Sequence, residues 1–290
     1  AIAKRIEAGK DVMINALTQS PLVGKKIFEW REQIESQQLL VRDIIDIDST
    51  YEDFEALEED DELKINKKAK NKEEDKDEKK GEEAQSEDDE FNVSLAKMEE
   101  EIKPKIINIL DSLNKNYSKL KKYQKEKLDC LLDGKELSVS KNKNFKKIQG
   151  VLVDNFKNLQ LAPHVVEELV QAHYKENKKI VSLEGVLLRL AMDNKISREE
   201  FLKYYIGNEI NPKFESFLKE NPVWKAFFKK FKKDFSEIRE RLVEFSKKIG
   251  LSVGEFKKLV NRIQKGERES RIAKKEMVEA NLRLVISIAK

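Results

Sequence analysis

Cysteine, proline, glycine and histidine are all scarce in this chain. Of 290 residues only Cys130 is a cysteine, and there are 5 prolines, 10 glycines and 2 histidines. A lone cysteine, with no CxxC and no Cys/His cluster, excludes a disulfide framework and a zinc site of the usual spacing. The two histidines, His164 and His173, stand nine positions apart; they read as helix-face or surface residues rather than ligands. No run of eighteen apolar residues and no basic leader before a short apolar core occurs, so neither a membrane span nor a signal peptide is expected. No glycine-rich phosphate loop, GxSxG elbow or HExxH is present, and the many carboxylate pairs read as solvated faces rather than acid/base pairs. No enzyme is expected, nor any cofactor, metal or small-molecule substrate.

What remains is charge and amphipathic periodicity. Charged residues make up 39% and hydrophobic residues 39% of the chain, and with so little Gly and Pro this predicts an all-α, multi-helix bundle with long helices. The formal net charge of +3 hides a division: residues 52–90 carry 19 acidic and 8 basic side chains, which leaves +14 on the remainder. The tract "EDFEALEEDDELKINKKAKNKEEDKDEKKGEEAQSEDDE" has almost no branched or aromatic residue after Ile65. It is expected to be a disordered acidic insertion over 52–91, serving as a solvated linker or as an arm that repels nucleic acid or docks on a basic partner.

The helices announce themselves by caps and stripes. Residues 1–8 are amphipathic, and Gly9 reads as a break. Ser20-Pro21 starts a helix by cap and first-turn proline, with Phe28, Ile34, Leu39 and Ile44 at roughly helical spacing and the pattern gone by Asp46. A stripe of Ile102, Ile106, Ile109, Leu113, Tyr117, Leu120 and Tyr123 follows, closed by Gly134, with Pro104 expected to kink or restart the helix. Further helices are expected over about 142–160, from Pro163, after Ser197, after Pro212 and after Ser252. In "NPVWKAFFKKFKKDFSEIRERLVEFSKKIG" the residues Trp224, Phe228, Phe231, Phe235, Ile238, Leu242, Phe245 and Ile249 form a heptad seam, ended by Gly250. Lys225, Lys229, Lys232 and Lys233 should face water beside it, as a weak phosphate-facing stripe at most. In the last helix Val278, Leu282, Val285 and Ala289 form one stripe and Met277, Leu284 and Ile288 another, so it should be covered on more than one side. Both ends of the chain fall within amphipathic patterns, and a fragment of a longer protein is expected.

At "RESRIAKKEMVEANLRLVISIAK" the chain resembles the start of the second conserved region of primary bacterial sigma factors, the seventy-kilodalton housekeeping class. "IAKRIE" resembles the end of that family's first conserved region, and "FLKYYIGNE", "NPVW" and "KIGLSVGEFKKLVNRIQKGE" come in the order of its non-conserved insertion. The resemblance divides the chain into 1–9 (end of the first conserved region), 10–51 (helical start of the insertion), 52–91 (acidic linker), 92–266 (helical insertion domain) and 267–290 (start of the second conserved region). It implies a cytoplasmic transcription initiation factor, which binds core RNA polymerase and directs promoter recognition and opening at the minus-ten element. By resemblance, Leu282 and Val285 match positions that meet the helical coiled coil of the polymerase β′ subunit. Asn281 and Leu284 match the pocket for a flipped base of the non-template strand, where an amide can read a base edge and an apolar wall can hold its face. The strand-separating aromatics and later promoter-reading domains would follow residue 290. A helical scaffold that self-associates through the heptad seam is the alternative, and a general nucleic-acid-binding bundle a weaker third.

Overall fold

The computed structural model describes residues 2–51, 87–133, 139–218 and 221–289. Most of the predicted acidic insertion, 52–86, and the predicted stop at Gly134 lie outside the described residues. Among the described residues the protein is all-α, as the composition predicts, with no named strand and a single β-bridge between Ile45 and Leu161.

Helix α1 spans Ile2–Leu17 and α2 Pro21–Glu35; after a 3-10 turn at Val41–Asp43, residues 47–51 are helical again. Then come α3 (Glu87–Leu132), α4 (Val139–Lys157), α5 (Pro163–Asp193), α6 (Arg198–Tyr205), α7 (Phe214–Phe217), α8 (Pro222–Ile249) and α9 (Val253–Ile288). The predicted caps are the ones used. Ser20 Oγ accepts from the Leu22 amide at 3.3 Å, Ser252 Oγ from Glu255 at 3.3 Å, and Gly250 ends α8 with φ +89°.

Several expectations are corrected. Gly9 is no break: α1 runs through it, because the glycine is where α1 meets α9 most closely. A Cβ on Gly266 would stand 2.6 Å from the Gly9 carbonyl oxygen, and one on Gly9 2.8 Å from the Ser270 nitrogen. The core face of α2 is Val23, Ile27, Trp30 and Ile34, spaced four and three apart, while Phe28 faces out and the helix stops at Glu35. Backbone of α3 is already helical at Glu87, inside the predicted linker, and continues through Pro104 without a restart. Proline removes one amide donor and crowds the carbonyl four residues back. Pro104 and Glu100 are both exposed, so water can take up the carbonyl that loses its partner.

The inner face of α3 is Ile102, Ile106, Leu110, Leu113, Tyr117, Leu120 and Leu128, with Gln124 also buried; Ile109 and Tyr123 lie at its edge. Tyr117 sits against Gly24 of α2, whose added Cβ would fall 2.8 Å from its ring, and its hydroxyl donates to the Thr18 carbonyl at 2.7 Å. Arg31 of α2 pairs with Asp111 of α3 on the rim of the same contact.

The seam of α8 turns into the chain's own core. Trp224, Phe227, Phe235, Ile238, Leu242 and Ile249 are buried, whereas Phe228 and Phe231 are half-covered. The helix breaks its regular dihedrals at Phe231 (φ −114°, ψ 26°), so a wheel drawn straight through this point places Phe228 inward where Phe227 is. Trp224 packs on Phe201 and Phe214, with ring centroids 6.0 and 6.1 Å away, and its indole donates to Glu200 at 3.0 Å. The exposed lysines Lys225, Lys229, Lys232 and Lys233 lie outside this aromatic cluster, as the sequence predicts.

Candidate functional site

The four sequence-predicted site residues all fall in the second half of α9. Its first half is core: Val253, Phe256, Leu259, Val260, Ile263, Gly266, Ser270 and Ala273 repeat at steps of three and four and are buried against α1 and α5. The small residues Gly266, Ser270 and Ala273 let the α1 backbone lie directly on α9. Arg5 closes the contact with a bidentate pair to Glu276, at 2.5 and 3.2 Å. Beyond that pair no side chain of α9 is buried.

Met277, Val278, Leu282, Leu284, Val285, Ile286 and Ile288 are between 46% and 76% exposed. The expectation that this helix is covered on more than one side is not met among the described residues. The sequence shows apolar residues on several faces, but the elements that cover the first half of α9 stop short of the second. Helical geometry brings Asn281 and Leu284 together, three residues apart, on a face shared with Met277 and Ile288. Leu282 and Val285 form the adjoining face with Val278. An apolar surface, broken only by Asn281 and Arg283, is thus offered by a helix packed at its other end. An exposed apolar patch of this kind, extending from a packed base, marks an interaction site.

Other functional-looking side chains turn out to be structural. His173 is fully buried, correcting the surface reading. Its Nδ1 lies 2.6 Å from the Leu169 carbonyl and its Nε2 2.6 Å from Ser20 Oγ, and its ring stacks on Phe256 at 6.1 Å. Burial lowers its pKa, partly offset by the bond to Leu169, so the ring is neutral near pH 7. His164 is exposed, with Nε2 3.0 Å from the Asp43 carbonyl.

A second polar cluster joins α5, α6 and α9, and no motif or spacing announces it. Glu184 pairs with Lys257 at 2.7 Å, the Tyr205 ring is buried beside it, and Glu209 lies against Gly254 in the first turn of α9. Burial raises the pKa of Glu184 more than the lysine lowers it. Among the described residues no three His, Cys, Asp or Glu side chains converge to hold a metal ion, and no helix is long and apolar enough to cross a membrane.

These features define a helical scaffold from which one half-helix projects an apolar surface. Residues 21–245 match the model of the sigma-70 non-essential region. The chain therefore belongs to the primary sigma-70 family and carries its non-essential region. It is similar to the RNA polymerase sigma factor RpoD of Neisseria gonorrhoeae, 26% identical over 141 residues. That match spans 48% of this chain and 22% of the relative's length. The matched region ends within α8, so the predicted contact residues on α9 lie beyond it.

Proposed function

We propose that the chain acts within a primary sigma factor: the whole protein binds core RNA polymerase and directs promoter recognition and opening at the minus-ten element. The observation that supports the reading is the unpaired apolar surface from Met277 to Ile288, on a helix whose preceding turns are buried against α1 and against α5, the latter within the matched non-essential region. On this reading Leu282 and Val285 face the coiled coil of the polymerase β′ subunit. Asn281 and Leu284 belong to the wall of a pocket for a flipped base of the non-template strand, and the role sets the protein in the cytoplasm. Residues 1–9 and 267–290 then flank the insertion as parts of the conserved regions.

The shape of the surface supports this division. Leu282 and Val285 share one helix face and suit an apolar partner helix, which reads anchors at three- and four-residue spacing. Asn281 offers both an amide donor and an acceptor beside the Leu284 side chain, the combination a base edge and its flat face require. The heptad seam, by contrast, is consumed internally, which leaves no comparable surface for self-association there.

Pull-down of core RNA polymerase by the purified chain tests the proposal. Capture should be seen with the native chain and lost with Leu282→Asp, while Asn281→Ala retains it. Absence of capture by the native chain, or equal capture by Leu282→Asp, would remove the assignment of that face.

A further inference from the structure

The antiparallel hairpin α3–α4 carries a large excess of positive charge spread over two helices. Residues 115–147 include 11 lysines against 4 carboxylates. The register of the pair is set at two points: Asn155 donates to Ser112 at 3.2 Å, and Lys141 meets Glu126 at 2.7 Å. The same register lays Lys143 and Lys147 of α4 across from the stretch of α3 between Leu120 and Gln124. On α3, Lys115, Lys119 and Lys122 follow one another at steps of four and three, in line with Glu126 at the edge facing α4. All five lysines are exposed, and none makes an ion pair among the described residues.

Several other helices of this protein neutralise charges one turn away. Arg31 pairs with Glu35 at 3.0 Å, Arg241 with Glu237 at 2.6 Å, Lys265 with Glu269 and Lys275 with Glu279 at 3.9 Å. The hairpin does the reverse. Lys119 follows Lys115, and Lys147 follows Lys143, one turn on, and like charges at this spacing repel and weaken the helix. The two carboxylates one turn from this row are already engaged, Asp111 with Arg31 and Glu126 with Lys141. A row of cations kept at a cost to its own helices, with its nearest counter-charges drawn elsewhere, fits a polyanion.

We propose that the outer face of the α3–α4 hairpin, built on Lys115, Lys119, Lys122, Lys143 and Lys147, binds the phosphate backbone of duplex DNA without reading its sequence. Three features favour nucleic acid over an acidic protein. The cations are all lysines, which protein interfaces deplete. The apolar surface beside them is small: Val151, one turn beyond Lys147, is half-exposed and Tyr123 is half-covered, short of the buried aromatic cluster that anchors a protein hot spot. Lysine acts as a point charge toward phosphates, and such contacts position a protein on a duplex without carrying sequence information. Lys225, Lys229 and Lys233 of α8 repeat the like-charged spacing, but they make the weaker candidate because Lys230 and Lys233 have Asp234 and Glu237 one turn on and the row lies on a single helix rather than across two. The inference is independent of the polymerase reading, which rests on α9.

The test is fluorescence anisotropy of a labelled random-sequence duplex with the full chain across a salt series. The triple variant Lys119→Glu, Lys122→Glu, Lys147→Glu is compared with a control triple, Lys225→Glu, Lys229→Glu, Lys232→Glu, both checked for folding by circular dichroism. Neutralising Z phosphate contacts gives a slope of log K on log salt of about −0.9Z. The hairpin triple should therefore flatten that slope by roughly three and weaken binding about tenfold or more at physiological salt, with the control near the native chain. Lys119→Gln, Lys122→Gln, Lys147→Gln should fall between, which separates lost attraction from added repulsion.

Equal losses in both triples would reduce the effect to net charge and overturn the site, as would undiminished duplex binding by the hairpin variant. Retained duplex binding with lost binding to polyglutamate would reassign the face to an acidic protein. Leu282→Asp should bind duplex normally and the lysine triple should still capture core polymerase, so each proposal can fail without the other.

Discussion

The hydroxyl of Ser20 donates to Nε2 of His173 across 2.6 Å, and both side chains are wholly buried. The direction follows from the other ring nitrogen. Nδ1 lies 2.6 Å from the Leu169 carbonyl, which can only accept, so the proton sits on Nδ1 and Nε2 is left to receive. The serine is also the N-cap of α2, so one neutral imidazole on α5 fixes the start of a helix 153 positions away. Protonation would take away the acceptor that Ser20 uses and place a charge in the core. Because burial holds the folded-state pKa below the ordinary value, the stabilisation is complete above about pH 6.5 and is lost as pH falls through the folded pKa. Thermal melts should show this acid-side loss in the native chain and a smaller one in His173→Phe. That variant should itself be less stable at pH 7.5, by about 1–3 kcal/mol for the buried groups left unpaired.

Gly266→Ala should be more damaging than its size suggests. The added methyl would fall 2.6 Å from the Gly9 carbonyl oxygen and 2.9 Å from the Met13 amide nitrogen, backbone atoms that cannot rotate away. Overpacking of this kind typically costs 1–3 kcal/mol. Here it should appear as a lower melting temperature and as faster hydrogen exchange across α1. Gly150→Ala, where nothing lies within 4 Å of the new atom, should instead be neutral or slightly stabilising.

Phe227 and Phe228 are neighbours with different burdens. Phe227 is fully buried and meets Trp224, Phe231 and Phe235 within 6.3 Å, while Phe228 is only partly covered. Phe227→Ala should cost about 3–5 kcal/mol in chemical denaturation, the range for emptying a core aromatic site. Phe228→Ala should cost clearly less. The opposite order would show that the heptad runs unbroken through Phe231.

Local signals were the legible part of this fold. Ser20-Pro21, Asn221-Pro222, Ser252 and Gly250 act through atoms within one turn of the chain, so the helix boundaries they set could be read from neighbouring residues. The misreadings arose where the answer lay on another helix. Gly9 has the composition of a break, and only the backbone of α9 makes it a crossing point. His173 has no partner nearby in sequence apart from Leu169; Ser20 comes from a different part of the chain. Phe227 gains its place from a local break in α8 that no periodicity announces. For the candidate surface, the residue types on α9 were visible at once, but that none of them is buried depends on where α1 and α5 end.

That last point yields a prediction separating the two halves of α9. Ala273 is fully buried, whereas Leu282, Leu284 and Val285 are more than half exposed, although apolar residues at helical spacing continue along α9 on both stripes. A buried position resists enlargement, so Ala273→Leu should destabilise the fold by about 1–3 kcal/mol. Exposed positions away from packed contacts usually tolerate change within about 0.5 kcal/mol, so Leu282→Ser, Leu284→Ser and Val285→Ser should leave the melting temperature almost unchanged. The same three changes remove apolar surface from water and should reduce concentration-dependent light scattering by the isolated chain. If instead they lower stability as Ala273→Leu does, the distal turns of α9 are packed in solution and the surface is not available to a partner.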